Sequence, residues 1–293
     1  MEVNCAGCAG CCLDWRPLSP AALDHERRGE RVPLDDSYNL VPLARDEVKR
    51  FVEAGESDVL TPRLFEPGAG DGKRRLGGHE VAAVDGRPVF FVGLRKPPKP
   101  VAPFGGEQRW LRTCVFLDPE TLQCRIHGDD RYPGDCADYP GHNLVLDQET
   151  ECERVEDGHG GTRLQDRSDP PTGNLALGPQ AIGTKVFVHP APERLHETVD
   201  RLVRGRLRRA DRAEFVAGAV ASAPGSLAVD ETRLESVRDQ VVAASSWASN
   251  AIAAWESMAG ACGDSAVGAA TRVDERFGAP STPGWNRGDG DKG

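Results

Sequence analysis

Four cysteines within eight positions, Cys5, Cys8, Cys11 and Cys12, constrain this chain more than any other stretch. The residues between them are Ala-Gly pairs, which bury little surface, so the segment has no core of its own. Gly7 and Gly10 allow tight, left-handed turns. A chain that turns every three residues around cysteines aims several sulfurs at a common centre. That is how a protein builds a thiolate cage around a metal ion or cluster. Four more cysteines follow much later, at Cys114, Cys124, Cys136 and Cys152. The expectation is that residues 114–152 return to the N-terminal run and complete the cage.

At 293 residues the chain is long enough for one large domain or two small ones without staples. A net charge of −10 argues against an electrostatic grip on nucleic acid over the whole surface. Of the 36 basic residues only six are lysines. An acid-rich, lysine-poor composition fits a salt-adapted cytoplasm and fits codon bias in a GC-rich genome equally well. No basic-then-apolar leader precedes Cys5, and no run of about 18 apolar residues occurs. The sequence therefore points to a chain that does not span a membrane and resides in a reducing cytoplasm. There, clustered cysteines are metal ligands more often than disulfides.

Local patterns supply the remaining expectations. Ser19-Pro20 opens a short helix over Ala21–Arg28, with His25 on its exposed side. Pro42–Ala54 is a stronger helix with Leu43, Val48, Phe51 and Val52 in one stripe and Gly55 as its stop. Glu66-Pro-Gly68-Ala-Gly70-Asp-Gly72 superficially matches the glycine-rich loop of adenosylmethionine-binding methyltransferases. Such a loop works between a buried strand and a helix, and here Pro62 interrupts the upstream segment while no amphipathic helix follows, so it reads as a plain loop. His79–Leu94 reads as a hairpin about Asp85-Gly86. Lys96–Pro100 reads as a stiff polyproline-like linker.

In the second cysteine block, Cys114–Leu117 and Gln123–Ile126 read as paired strands across an Asp118-Pro-Glu-Thr turn, which brings Cys114 and Cys124 together. Prolines on both sides place Cys136 in a non-helical bend. His127 and His142 lie close in sequence to these cysteines. Eight thiolates already fill two tetrahedral sites, so each histidine is expected to hydrogen-bond a thiolate rather than to ligate.

These residues resemble the CxxCxxCC, or YkgJ-like, cysteine-cluster family of zinc- or iron-chelating proteins. Cys5, Cys8, Cys11 and Cys12 match its first element. Cys114-Val-Phe-Leu and Cys124-Arg-Ile-His match its second, Pro133-Gly-Asp-Cys136 with Tyr139-Pro140 its third, and Cys152 its last. The Pro42–Ala54 helix sits where that family usually places one. Departures are Tyr132 and Ala137, where arginines are common, and a long spacer at residues 55–109. The resemblance covers roughly residues 1–155. It implies a zinc or iron centre held by all eight cysteines. A related branch named flagellin lysine N-methylases makes an enzyme an alternative.

Adjacent Cys11 and Cys12 ordinarily point their side chains apart, so eight thiolates suggest two four-cysteine sites that share the N-terminal run. Any thiolate quartet satisfies zinc, and C-x2-C-x2-C plus a remote cysteine also suits a [4Fe–4S] cluster; spacing leaves both open. Past Cys152 the chain is polar to Pro171, and Ala181–Val188 reads as one strand. Glu193–Val220 then reads as a helix with Leu195, Val199, Leu202, Val203 and Leu207 in register. Arg201, Arg204, Arg208 and Arg209 form its solvated face. Asp230 caps a second helix to about Gly260 with Leu234, Val237, Val241, Ala248, Ile252 and Trp255 on one side. Cys262 reads as incidental, and residues 264–293, rich in Gly, Asp and Pro, as disordered.

The expected fold is α+β: an irregular metal-organised cysteine-cluster domain at 1–155 with a C-terminal helical hairpin at 193–262. A linker and strand at 156–192 join them, and 263–293 is a tail. The expected function is cysteine-mediated binding of zinc or an iron–sulfur cluster. Alternatives are an iron–sulfur-dependent protein-lysine N-methyltransferase and a purely structural zinc-stabilised interaction module. No residue points to a particular substrate or protein partner.

Overall fold

The computed structural model describes residues 3–20, 23, 32–145, 148–164, 178–262, 267–270 and 272–284. The helix expected at 21–28, with His25, lies outside them, as do the side chains of His142 and Cys262. Strands are β1 (Leu60–Leu64), β2 (Gly72–Leu76), β3 (His79–Val84), β4 (Arg87–Leu94), β5 (Pro98–Val101), β6 (Arg109–Arg112) and β7 (Phe187–Val188). Helices are α1 (Arg45–Glu53), α2 (Gly134–Ala137), α3 (Gly141–Val145), α4 (Glu151–His159) and α5 (His196–Val203). They continue as α6 (Arg209–Ala221), α7 (Glu231–Ala243), α8 (Trp247–Cys262), α9 (Val267–Ala270) and α10 (Val273–Arg276). Helices with antiparallel sheets make this an α+β protein. No helix among the described residues is long and apolar enough to cross a membrane.

The chain forms two compact units that interleave along the sequence. One comprises Met1–Leu23, Lys96–Gly173 and Trp247–Gly293; the other comprises Asp24–Arg95 and Asn174–Ser246. The serial division expected from sequence cuts the chain differently. Both cysteine blocks belong to the first unit, whereas α1 and the hairpin of the spacer belong to the second.

The second unit is built on an antiparallel sheet ordered β1-β4-β3-β2, with β7 also paired to β4. β3 and β4 join through Asp85 and Gly86, both at positive φ (51° and 69°), which suits the twist of a two-residue hairpin. β1 stands at the end of the path, where Pro62 opposite Val92 can lack an N–H without breaking a central ladder. The segment that Pro62 interrupts is thus an edge strand, and the glycine-rich stretch from Glu66 leads from it to β2. Gly93 is needed for a close approach: a Cβ there would sit 2.5 Å from the Val41 carbonyl oxygen. Phe90 on β4 meets Phe187 on β7 and Phe215 on α6, with centroids 5.6 and 5.0 Å apart. α6 and α7 pack against each other across a turn closed by the Ser222–Val229 bridge.

The long helices expected at 193–220 and 230–260 are each broken. Gly205, at φ 65°, separates α5 from α6, and α7 ends at Ala243 while α8 belongs to the other unit. The arginine face is not uniformly solvated either, because Arg201 pairs with Asp211 at 2.6 Å and Glu197 at 3.0 Å.

In the first unit β5 pairs with β6, so the proline-rich segment at 96–100 is part strand rather than linker. Extended, polyproline-like backbone differs little from a strand once a partner is present. Lys99 points inward, fully buried, and donates to the carbonyls of Val115 (2.7 Å) and Leu117 (2.6 Å). α8 packs on β5 and α10 on α8. Arg125 is held by Asp274 at 2.9 Å, with both side chains buried, and donates to the Pro280 carbonyl at 2.9 Å. Residues 267–270 and 272–284 are therefore folded onto this unit, contrary to the disorder their composition suggests; 285–293 lie outside the described residues.

Candidate metal centre

All eight cysteines of the two blocks lie in one unit, as free thiols that are buried or half-buried. The N-terminal run is a series of tight turns. Cys8 N–H donates to the Cys5 carbonyl (3.1 Å) and Cys12 N–H to the Ala9 carbonyl (2.8 Å), with Gly7 and Ala9 at positive φ. Each end of the run is anchored to a different part of the unit. Asn4 N–H donates to the Arg163 carbonyl at 2.8 Å and Val3 bridges Leu164, just past α4. At the other end the Cys12 carbonyl accepts from Cys114 N–H at 2.8 Å and Leu13 bridges Thr113.

Cys114 and Cys124 belong to a hairpin-like loop, closed by the Leu117–Cys124 bridge and by Asp118 N–H on the Gln123 carbonyl. It is a single bridge rather than two paired strands, because Leu122 takes a positive φ of 56° to close the turn. Cys136 sits in α2, a one-turn helix, not in a non-helical bend. Pro133 is its N-cap, a position where a missing N–H costs nothing. Cys152 sits in the first turn of α4. Thr150 Oγ1 accepts from Glu153 N–H (3.2 Å) and Glu153 Oε2 accepts from Thr150 N–H (2.6 Å), a reciprocal cap. Trp15, fully buried, fixes this helix to the N-terminal segment by donating to Glu151 Oε2 at 2.9 Å.

Burial and crowding raise the pKa of seven of these thiols. Burial, then Cys8 and Cys12, pushes Cys5 up to about 11. Burial, then Cys5 and Cys8, pushes Cys152 up to about 12. Cys114 is raised by burial and by Cys12. Cys124 is raised by burial, Cys114 and Cys12, and Cys136 by burial, Cys12, Cys114 and Cys124. Cys12 is raised by its hydrogen bond to Cys11 and then by burial. For Cys11 that same bond lowers the value, but burial with Cys5, Cys136 and Cys152 nearby outweighs it. Three cations act the other way: Arg163 on Cys5 and Cys152, Lys96 on Cys12 and Cys114, Lys99 on Cys114 and Cys124. None of the three was visible in the sequence as a neighbour of the cysteines. Each is placed there by tertiary structure alone.

The sulfurs of Cys11 and Cys12 stand 3.8 Å apart, so these adjacent side chains converge instead of pointing away from each other. The His127 ring lies against Tyr132, with centroids 5.0 Å apart. Among the described residues, no group of three or more His, Cys, Asp or Glu side chains is arranged to hold a metal ion as it stands. The donor chemistry nevertheless fits a soft metal. What opposes ionisation here is burial and the neighbouring thiolates, and a bound cation offsets both.

No curated protein and no solved structure matches this chain. A family model matches residues 1–286, and the chain accordingly belongs to that family, a family of unknown function (DUF7531).

Proposed function

We propose that the protein binds a thiophilic metal, as zinc or an iron–sulfur cluster, through Cys5, Cys8, Cys11, Cys12, Cys114, Cys124, Cys136 and Cys152. The observation that carries this is the gathering of eight free thiols from two distant blocks into one unit, where Cys5, Cys136 and Cys152 are each held back from ionising by burial and by neighbouring cysteines. The spacing shared with the CxxCxxCC family supports the same reading. Lysine methylation draws no support from the glycine loop at 66–72, which connects β1 to β2 where a cofactor loop needs a following helix.

The test is purification under argon in reducing buffer, followed by metal analysis and a visible spectrum. Brown protein with iron and sulfide identifies a cluster; colourless protein with zinc identifies a structural ion. Cys8→Ser and Cys124→Ser should each lower metal content, and Cys262→Ser should leave it unchanged. A parent protein that carries no metal, and takes up none from a zinc solution, overturns the reading.

A further inference from the structure

We infer that the outer edge of β2 is a docking site for an acidic, extended peptide, which joins the sheet there as an added strand. The site lies in the second unit and is independent of the metal-binding reading, which concerns the first.

β2 is the terminal strand of its sheet, and among the described residues no strand pairs with its outer side. In an antiparallel pair, alternate residues turn their N–H and C=O groups away from the partner strand. β2 therefore presents an open half of a hydrogen-bond ladder. Its far end is closed: Leu76 is fully buried, and beside it Gly77 N–H donates to His196 Nδ1 of α5 at 3.1 Å. Gly72 to Arg75 are all exposed. That leaves an edge of roughly 13 Å, long enough for a short added strand.

The side chains on this edge are Lys73, Arg74 and Arg75. Lys73 pairs with Glu80 at 3.1 Å. Glu80 stands directly across from Arg75 in the register, yet its carboxylate goes to Lys73. Arg74 and Arg75 form no ion pair with any described residue. The other carboxylates nearby are turned elsewhere. Asp71 accepts from Gly68 N–H at 2.9 Å; Asp200 accepts from Gly78 N–H at 3.4 Å and faces His79 at 3.3 Å. In a chain of net charge −10, this strand keeps two uncompensated guanidinium groups in solvent.

Charge and backbone chemistry together select the occupant. A second copy paired β2 to β2 would set cation against cation, and like charges across a ladder repel. Nucleic acid would satisfy the guanidinium groups but has no amides with which to fill the ladder. Nor does β2 carry an aromatic side chain on which a base could stack. An acidic peptide meets both demands. Arg74 and Arg75 point to opposite faces of the strand, so the added strand needs one carboxylate on each face. Two consecutive acidic residues supply that. Backbone hydrogen bonds then hold the peptide, and arginine–carboxylate pairs choose its sequence.

The test is fluorescence anisotropy of the reduced, full-length protein at low salt with a labelled peptide Thr-Val-Glu-Glu-Val-Thr. Controls are the same peptide with Gln-Gln at its centre, the same peptide N-methylated at alternate amides, and a labelled DNA duplex. The acidic peptide should bind and should slow hydrogen exchange at residues 72–76. Arg75→Glu should weaken it about tenfold, because one attraction becomes a repulsion. Arg75→Gln should weaken it less, and both variants should keep the parent circular dichroism, since the side chain is exposed. The Gln-Gln and N-methylated peptides should each bind more weakly than the acidic one. Failure of the acidic peptide to bind overturns the inference, as does unchanged binding in Arg75→Glu. Equal binding of the N-methylated peptide shows charge attraction without an added strand and overturns it too. A duplex that binds more tightly than the peptide, and is lost in Arg75→Glu, assigns the edge to nucleic acid instead. Protection at 72–76 that rises with protein concentration alone assigns it to a second copy.

Discussion

Lys99 holds its ammonium 4.4 Å above the ring of Trp255, in a position closed to solvent. The cation–π contact and two short hydrogen bonds to the carbonyls of Val115 and Leu117 tie β5, the Cys114 loop and α8 to one atom. Burial, its largest influence, drives its pKa down from 10.5 to about 8, although Asp274 and Cys114 pull upward. Unfolded lysine keeps its proton to higher pH, so between about 8 and 10.5 the unfolded chain binds more protons. Lys99 therefore contributes stability that rises with pH in that window. Lys99→Met should remove this rise. It should also cost about 1–3 kcal/mol at pH 7 by stripping two buried carbonyls of their donor. Urea unfolding of both proteins from pH 7 to 10.5 measures it.

The thiols act in the opposite sense. Ordinary cysteine ionises at 9.0, whereas Cys5 does so at about 11 and Cys152 at about 12 in the fold. The metal-free native state thus binds more protons than the unfolded chain above 9. The stability these groups contribute is complete below that pH and is lost as it rises toward 12. Metal-stripped, reduced protein should weaken steadily on alkaline titration. Zinc-loaded protein should lose this alkaline dependence and weaken at acid pH instead, where protons compete for the sulfurs. Thermal melts of the two forms across pH 5–11 compare them.

Gly10 is packed so tightly that a single added methyl would meet Val155 Cγ2 at 2.8 Å. Its backbone is ordinary, so the penalty for Gly10→Ala arises wholly from Val155, 2.8 Å from the new Cβ and itself fully buried. We expect a loss of about 1–3 kcal/mol, characteristic of an overpacked core. Adding Val155→Ala should recover part of it, so that the double variant is more stable than the sum of the singles. Chemical denaturation of the four proteins checks this.

Legibility in the sequence followed the range of the interaction. The Asp85-Gly86 turn and the Gly55 stop of α1 were readable, because two or three residues determine each. The reciprocal cap of Thr150 and Glu153 is equally local, but the sequence reading passed over it, and α4 went unread in a polar stretch. β5 was not readable, because its prolines suggest a linker until Arg109–Arg112 pairs with it. Nor were the seats of Lys96, Lys99 and Arg163 beside the sulfurs. The eight cysteines could be listed by counting, but the return of Cys114 N–H to the Cys12 carbonyl, and of the Cys5 end to the segment after α4, is a matter of tertiary contact.

The C-terminal segment carries a testable share of the stability. Arg125 is 2% exposed and Asp274 is fully buried, so Asp274→Ala would strand a guanidinium away from water. Asp118, 3.4 Å from Arg125, offers partial compensation. The expected loss is near 3 kcal/mol, the low end for a broken buried pair. Asp274→Asn should lose less, since its amide oxygen still accepts a hydrogen bond. Urea unfolding distinguishes them, and hydrogen exchange at 114–126 should rise in the alanine variant, because Arg125 lies in that loop.

The interleaving of the two units sets an order of events during synthesis. A ribosome releases Cys5–Cys12 well before Cys114–Cys152, and both before α8 and Asp274, which complete the same unit. At ordinary elongation rates roughly ten to fifty seconds separate Cys12 from Trp255. Through that interval four sulfurs on a coreless Ala-Gly ribbon meet whatever the nascent chain meets: oxidants, or any soft ion in passing. On the metal-binding reading proposed above, the first ligand they acquire would be chosen by availability, before the finished fold can impose a geometry, and the arriving α4 and Cys114 loop would have to accept that ion or displace it.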